Sequence, residues 1–299
     1  MQTRLKLSMV LLLSVLAGPL PLEATQRIVF DQLGRQVKLS DSPQRIVSLA
    51  PSITEIVFAI GQGDRLQGVT RYSDYPPEAR RLPSVGSYVH LDLEKIVGLR
   101  PDLCIATKDG NPKGVVERLE QLGIAVYAVD PRDSRSIMQT VEEIGELLGA
   151  VDAAHRLAAG MRARIARISA QVARSPSRPG VFFQIGIAPI VSVGTRTFIH
   201  ELITLAGGAN LAAGPTPYPR FSREQILALA PEVWIVTSME SDPNPEHILG
   251  QPEIWQHVPA VRNRRVFGVN SDLFDRPSPR LIEALEILVQ LIHPELGGA

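Results

Sequence analysis

Cysteine occurs once in 299 residues, as Cys104. Without a second thiol the chain forms no intrachain disulfide, and Cys104 lies in an apolar run where a buried thiol acts as a small hydrophobe. An excess of charge of one sign is also missing. Lys and Arg total 31, Asp and Glu total 31, and the formal net charge is +0. That balance removes the long-range positive field of a nucleic-acid binder. Catalytic signatures are absent in turn: there is no Walker loop and no Gly-x-Ser-x-Gly elbow. Gly61-Gln-Gly63 follows a helical run and lacks the third glycine of a dinucleotide fingerprint, so it reads as a helix stop. The histidines (His90, His155, His200, His247, His257 and His293) include no pair at the spacing of a zinc site. No catalytic residue, metal or catalytic cofactor is expected.

Only one long hydrophobic run is present, Leu7 to Leu16, broken by Ser8 and Ser14. It follows Arg4 and Lys6 and precedes Gly18, Pro19, Pro21 and Ala24, the pattern of a secretory signal. A spanning helix needs about 20 apolar residues, more than this run supplies. Residues 1–24 are therefore expected to be a signal peptide, and the rest an exported chain held together by core packing alone.

Strand and helix patterns alternate through the remainder. A strand pair near residues 27–37 is followed by strands at 45–50, 66–70, 103–106 and 125–129, and by helices at 53–60, 93–99, 114–122 and 137–148. Residues 181–185, 233–237 and 266–269 then read as strands, and 198–206, 225–229 and 279–292 as helices. This predicts an α/β protein with mostly parallel sheets flanked by helices. Between the two series, residues 151–173 lack proline and hold Leu157, Met161, Ile165 and Ile168 at helical spacing. One helix of roughly 35 Å is expected there, stopped by Ser175-Pro-Ser-Arg-Pro-Gly180. The division that follows is an N-terminal lobe (25–150), a linking helix (151–175) and a C-terminal lobe (176–299).

The lobes share a motif. Tyr88-Val-His-Leu-Asp-Leu-Glu94 and Tyr218-Pro-Arg-Phe-Ser-Arg-Glu224 each place a glutamate six residues after a tyrosine, before a short helix, a proline, an acid and an apolar strand. Thr54-Glu55 to Gly61 likewise matches His200-Glu201 to Gly207. A duplicated chain tends to bind in the cleft between its lobes. Tyr88 and Tyr218 then approach one ligand from opposite sides, with Tyr72 in a loop after a strand, where α/β folds bind. Aromatic faces give broad contact area at low entropic cost. The stretch Asp272-Leu273-Phe274-Asp275-Arg276 reads as a turn at a strand end, offering donors, acceptors and an exposed ring. Glu94 and Glu224 stand in the first turn of a helix, which suits a carboxylate by the helix dipole alone. Related by the repeat, they also suit docking onto a two-fold symmetric partner carrying basic residues.

Arg71-Tyr-Ser-Asp-Tyr-Pro-Pro-Glu-Ala79, Val181-Phe-Phe-Gln-Ile-Gly-Ile-Ala-Pro189, Ser222-Arg-Glu-Gln-Ile-Leu-Ala228 and Ser271 to Arg280 resemble the periplasmic cobalamin-binding proteins. The resemblance runs from about Arg45 to Ile292. It implies two Rossmann-like lobes joined by one long rigid helix, and a monomer that carries cobalamin or a related corrinoid to an ATP-driven importer of the inner membrane. By position, Tyr72, Tyr88, Tyr218 and the turn of Asp272, Leu273, Phe274, Asp275 and Arg276 would contact the ligand, and Glu94 and Glu224 would pair with transporter arginines. Tyr88, Tyr218 and Thr107 stand where tryptophans are expected, and Ala206 and Val289 where a disulfide is. A haem or ferric-siderophore receptor, with Tyr88 or His90 on iron, is the alternative of the same fold. A secreted enzyme using the same cleft is the alternative of another class.

Overall fold

Short apolar runs closed off by Pro, Gly and acidic residues become strands buried on both faces, the environment of a parallel sheet. In the computed structural model, which describes residues 26–237 and 252–296, Leu103 to Thr107 is buried at every position. The expected signal peptide, residues 1–24, lies outside the described residues.

The first lobe opens with an antiparallel pair, β1 (Gln26–Phe30) and β2 (Gln36–Ser40). Its sheet contains β3 (Ile46–Ser48), β4 (Leu66–Gly68), β5 (Leu103–Thr107) and β6 (Val126–Val129) in the order β4-β3-β5-β6, all parallel. Helices α1 (Pro51–Ala59), α2 (Leu93–Gly98), α3 (Lys113–Gln121) and α4 (Ser134–Leu147) follow the strands. Pro51 starts α1, where its missing N–H costs nothing. Asp133 caps α4 by accepting from the Ser136 N–H at 2.7 Å.

Helix α5 (Val151–Val172) runs unbroken for 22 residues. Its first turns place Ala154 in the core of the first lobe, while Ala158, Met161, Ile168 and Val172 belong to the core of the second. Leu157 packs against both cores. The linking helix is thus part of each lobe's interior. Arg162 pairs with Glu142 of α4, and Arg164 forms two bonds of 3.1 and 2.8 Å with Glu286 of the last helix.

The second lobe repeats the scheme with β7 (Gly180–Gly186), β8 (Ile190–Ser192), α6 (Phe198–Leu205), β9 (Ala209–Asn210), β10 (Arg220–Phe221), α7 (Arg223–Leu229) and β11 (Val233–Val236), then α8 (Pro252–Trp255), α9 (Pro259–Arg262), β12 (Val266–Gly268), α10 (Ser271–Phe274) and α11 (Leu281–Ile292). The sheet order is β10-β8-β7-β11-β12, with β9 also on β7. Strands β7, β11 and β12 are parallel; β8 and β10 form an antiparallel edge. Strands β8, β9 and β10 have two or three residues and, unlike the equally short β3, β4 and β12, lie outside the apolar runs that the sequence marks as strands.

Ile96 and Ile226, equivalent in the repeat, are both fully buried, and the residues ending α2 and α7, Arg100 and Ala230, both turn left-handed at φ 48 and 45. Gly61 and Gly207 close α1 and α6 at φ 75 and 82, conformations that glycine adopts without strain. Ala206 and Val289 are buried in the second core.

Two glycines test how α4 and α5 meet. A Cβ on Gly145 would lie 2.3 Å from the Ala154 Cβ, whereas one on the exposed, helical Gly160 meets nothing within 4 Å. Gly145→Ala is expected to destabilise by about 1–3 kcal/mol through overpacking, and Gly160→Ala to stabilise by up to about 1 kcal/mol through helix propensity. Thermal unfolding followed by circular dichroism should move in opposite directions for the two; equal shifts would contradict this packing.

Candidate functional site

The tyrosines selected in the sequence lie in loops of both lobes. Tyr88 sits in the loop before α2, and that loop is fastened by the buried Asn111. Its amide nitrogen donates to the Leu49 and Tyr88 carbonyls, both at 2.8 Å, and its oxygen accepts from the Thr107 N–H at 2.7 Å. The Tyr88 ring lies against Gly110, whose φ is 118; a Cβ there would come within 2.5 Å of the ring. Glycine is therefore the residue that admits this ring position. In the second lobe, the loop of Tyr218 is held to β8 and its continuation, where the Ser192 and Gly194 N–H groups donate to the Pro219 and Pro217 carbonyls at 2.9 and 2.8 Å. Tyr72 and Tyr218 are about half exposed.

The electrostatics tie these groups into one site. Burial raises the Tyr88 hydroxyl above its ordinary pKa, and Asp275 and Tyr72 raise it further. Burial raises Tyr218 as well, followed by Asp109 and Asp275, with Tyr88 also contributing. Tyrosines from opposite lobes are thus within electrostatic reach of each other and of Asp275. Burial pushes the Asp275 carboxyl up to about 7, against a hydrogen bond from the Thr237 hydroxyl. That bond, of 2.8 Å, engages Oδ2. The second oxygen, Oδ1, is buried and has no partner among the described residues. A buried, unpartnered acceptor is costly, and it marks a place for a donor.

Arg276 has a different position from the one its sequence context suggests. It is buried, and its guanidinium donates from Nη1 to Glu55 at 3.1 Å and Asp74 at 2.8 Å, and from Nη2 to the Tyr72 carbonyl at 2.8 Å and to Asp272. Ser278 adds a 2.6 Å bond to Glu55. Arg276 and Asp272 therefore join the two lobes beside the cleft. Arg280 stacks on Tyr75, 3.9 Å from its centroid.

Two further expectations are corrected. Phe274 is not an exposed ring: it is 1% exposed and packs against Phe183 at 6.0 Å between centroids. Leu273 is buried in the same core. The cause is local. Asn270 caps the segment by accepting from the Asp272 N–H at 2.8 Å, and the expected turn becomes helix α10, which rotates Leu273 and Phe274 inward.

Asn111, Asp109, Arg132 and Glu55 were missed in sequence. Asn111 had a signal, since it follows a fully apolar strand at the end where such folds bind. Glu55 had another: a lone carboxylate inside the apolar run Ile53 to Ile60. Glu94 and Glu224 are exposed at the second position of α2 and α7, behind the caps Asp92 and Ser222. A hydrogen bond with Ser222 holds the Glu224 carboxyl below its usual range. Among the described residues, no group of three His, Cys, Asp or Glu side chains is placed to hold a metal. No helix among them is long and apolar enough to cross a membrane.

A family model described as periplasmic binding protein matches residues 46–273. A vitamin B12-binding protein of Photorhabdus laumondii is 34% identical over 253 residues, 84% of this chain and 89% of that one. The crystal structure of the periplasmic vitamin B12 binding protein BtuF of Vibrio cholerae aligns with a TM-score of 0.74 at 32% identity, covering 86% of this chain and 99% of that one. A periplasmic heme binding protein from Pseudomonas aeruginosa aligns with a TM-score of 0.79 at 29% identity, covering 84% and 93%. With its two like lobes, a helix shared by both cores and a match over most of its length, the chain belongs to the periplasmic binding protein family.

Proposed function

We propose that this chain is the periplasmic receptor of an ATP-driven importer, that it captures a corrinoid of the cobalamin class between its lobes, and that it performs no covalent chemistry. The observation that carries this reading is that two tyrosines from opposite lobes, Tyr88 and Tyr218, lie within electrostatic reach of each other and of Asp275, whose buried Oδ1 has no partner among the described residues. Curated relatives above 30% identity include vitamin B12-binding proteins of Photorhabdus laumondii and Vibrio cholerae, which supports the ligand class. The lobes are taken as 25–150 and 176–299, with the linking segment 151–175, of which Val151–Val172 is helix, and a signal peptide at 1–24.

The chemistry favours a corrinoid over haem. A corrin is rimmed by carboxamides, whose N–H groups suit the free Asp275 acceptor. Haem carries carboxylates, which Asp275 and Asp109 would repel. The haem reading keeps one observation in its favour, the high TM-score to heme-binding proteins. Tyr72 completes the aromatic lining, and Asp272 and Arg276 act through the lobe junction. Glu94 and Glu224, exposed at equivalent helix starts, serve as paired docking points for the two halves of a membrane transporter.

Titration calorimetry with cyanocobalamin and, separately, haemin tests the ligand. Binding of cyanocobalamin is expected, weakened about 10- to 100-fold by Tyr88→Ala or Tyr218→Ala through lost aromatic burial. A new Soret-region spectrum with haemin and no heat with cyanocobalamin would transfer the assignment to haem.

Asp275 predicts a pH signature. Its folded-state pKa of about 7 lies above the unfolded value, so ionising it costs the folded state stability. That cost grows as pH rises from about 4 to about 7 and is complete above it. The ligand-free melting temperature should therefore drop from pH 5 to pH 8 by more in wild type than in Asp275→Asn. An identical pH slope in the two proteins would remove the role given to this carboxyl.

For docking, Glu94→Ala combined with Glu224→Ala is expected to leave the dissociation constant for cyanocobalamin unchanged while lowering uptake into vesicles that carry the transporter. Full uptake by the double variant would reject the docking role.

A further inference from the structure

The helix that opens each lobe carries one glutamate, and both glutamates reach into the other lobe. Glu55, on α1 of the first lobe, accepts from Arg276 at 3.1 Å and from Ser278 at 2.6 Å, just before the last helix of the second lobe, α11. Glu201, on α6 of the second lobe, accepts from the Ser134 hydroxyl at 2.9 Å and from the Ser134 backbone N–H. Ser134 is the first residue of α4, the last helix of the first lobe. The two contacts are the same contact made twice: first helix of one lobe to the start of the last helix of the other. They correspond to the matched segments Thr54-Glu55 to Gly61 and His200-Glu201 to Gly207.

Their surroundings give them a role beyond packing. Glu55 is 3% exposed, and a buried carboxylate left without its cationic partner is strongly destabilising. Any rotation that opens the cleft by separating α1 from the Arg276 segment breaks that partnership. Arg276 adjoins Asp275, so Glu55 also fixes the segment that presents the free acceptor. On the other side Ser134 is two residues from Arg132, a group within electrostatic reach of Tyr218. Arg132, Thr195 and Glu201 line one cavity of about 360 Å³ there. Each clasp therefore meets a segment that carries part of the candidate site.

We propose that Glu55 and Glu201 are a pair of repeat-related clasps that set the separation of the lobes in the ligand-free protein, and so position Tyr88, Tyr218 and Asp275 at one cleft width. The consequence for affinity rests on the cleft reading above; the consequence for lobe separation does not.

The test measures lobe separation directly. Spin labels on cysteines introduced at the exposed positions Glu117 and Ala228 report one distance between lobes by pulsed electron resonance. Native Cys104 is buried, with its thiol pushed up to about 12, and stays unlabelled. Ligand-free wild type is expected to give one narrow distribution. Glu55→Gln and Glu201→Gln should each broaden it and shift it to longer distance, the double substitution more than either. Ser134→Ala removes a hydroxyl donor, and Ser278→Ala removes a donor together with the acceptor of the Arg280 N–H; both should give the same change in smaller degree and guard against a glutamate variant that fails to fold. Affinity for cyanocobalamin should weaken about tenfold in each glutamate variant, the scale of one lost hydrogen bond, and saturating cyanocobalamin should restore the narrow distribution. Folded variants with the wild-type distance distribution would overturn the clasps. Failure of wild type to bind cyanocobalamin, with the distributions changed as described, would support the clasps and overturn the corrinoid reading.

Discussion

The relation between the two lobes depends on a buried guanidinium. Arg276 draws together Glu55 and Asp74 from the first lobe and Asp272 from its own, and also binds the Tyr72 carbonyl. Three carboxylates compete for one buried guanidinium, and the other cations stand farther off, Arg280 at 3.8 Å from Glu55 and the exposed Arg80 at 4.0 Å from Asp74, so close positive charge is in short supply. The shortage is visible in how the acids divide. Burial pushes Asp74 up, but the Arg276 bond and charge outweigh it, and Asp74 ends below its ordinary value. Asp272, raised by burial and by the neighbouring Asp74 charge, goes the other way. Two carboxylates competing for one cation titrate as a pair, and the proton falls on the less favoured member. Asp275 stands next to this cluster, but burial is the main reason its carboxyl is pushed up to about 7, with the Asp272 charge adding to it.

Desolvation makes such a cluster a weak source of net stability, since hydrophobic residues of the same shape commonly do as well. What the ionic version supplies here is direction. An apolar junction could slide, whereas fixed donor and acceptor geometry admits one relative placement of the lobes. Helix α5 cooperates with this. Because Ala154 lies in one core and Met161 in the other, bending between the lobes would open both interiors at Leu157. The small faces of Gly145 and Ala154 bring α4 and α5 so close that the helix pair behaves as one support.

Sequence made the local parts of this visible. The repeat could be read because periodicity, caps and left-handed closures are local requirements: Asp92 and Ser222 cap, Ile96 and Ile226 bury, Arg100 and Ala230 turn back. The exposed glutamates and two of the tyrosines, Tyr88 and Tyr218, followed from the same register, while Tyr72 followed from its place after a strand. Arg276 could not be read, because its partners Glu55 and Asp74 are remote in sequence and no spacing relates them. Phe274 was misread for the opposite reason: a cap at Asn270 that was present in the sequence converts a turn into a helical turn and reverses the direction of the ring. Asn111 shows a third limit. Its value lies in three bonds to three separate segments, and only the fold brings those segments to one point.

The unpartnered Asp275 oxygen and the clasped junction belong to one physical scheme. An aromatic groove that closed fully on itself would bury its rings against one another, leaving little aromatic surface for a ligand to gain. Holding the lobes at a set width keeps Tyr72 and Tyr218 part-exposed, and the buried, unpartnered Asp275 oxygen leaves the ligand-free protein with an unfavourable group that a donor-bearing guest would relieve. Affinity then comes from a cost already present before encounter, not from reorganisation during it, which is the sense in which a fixed cleft is preorganised. The duplication supplies the geometry for this. A single lobe presents rings from one side only, and two copies, held by reciprocal contacts between first and last helices, can face a broad molecule from both sides.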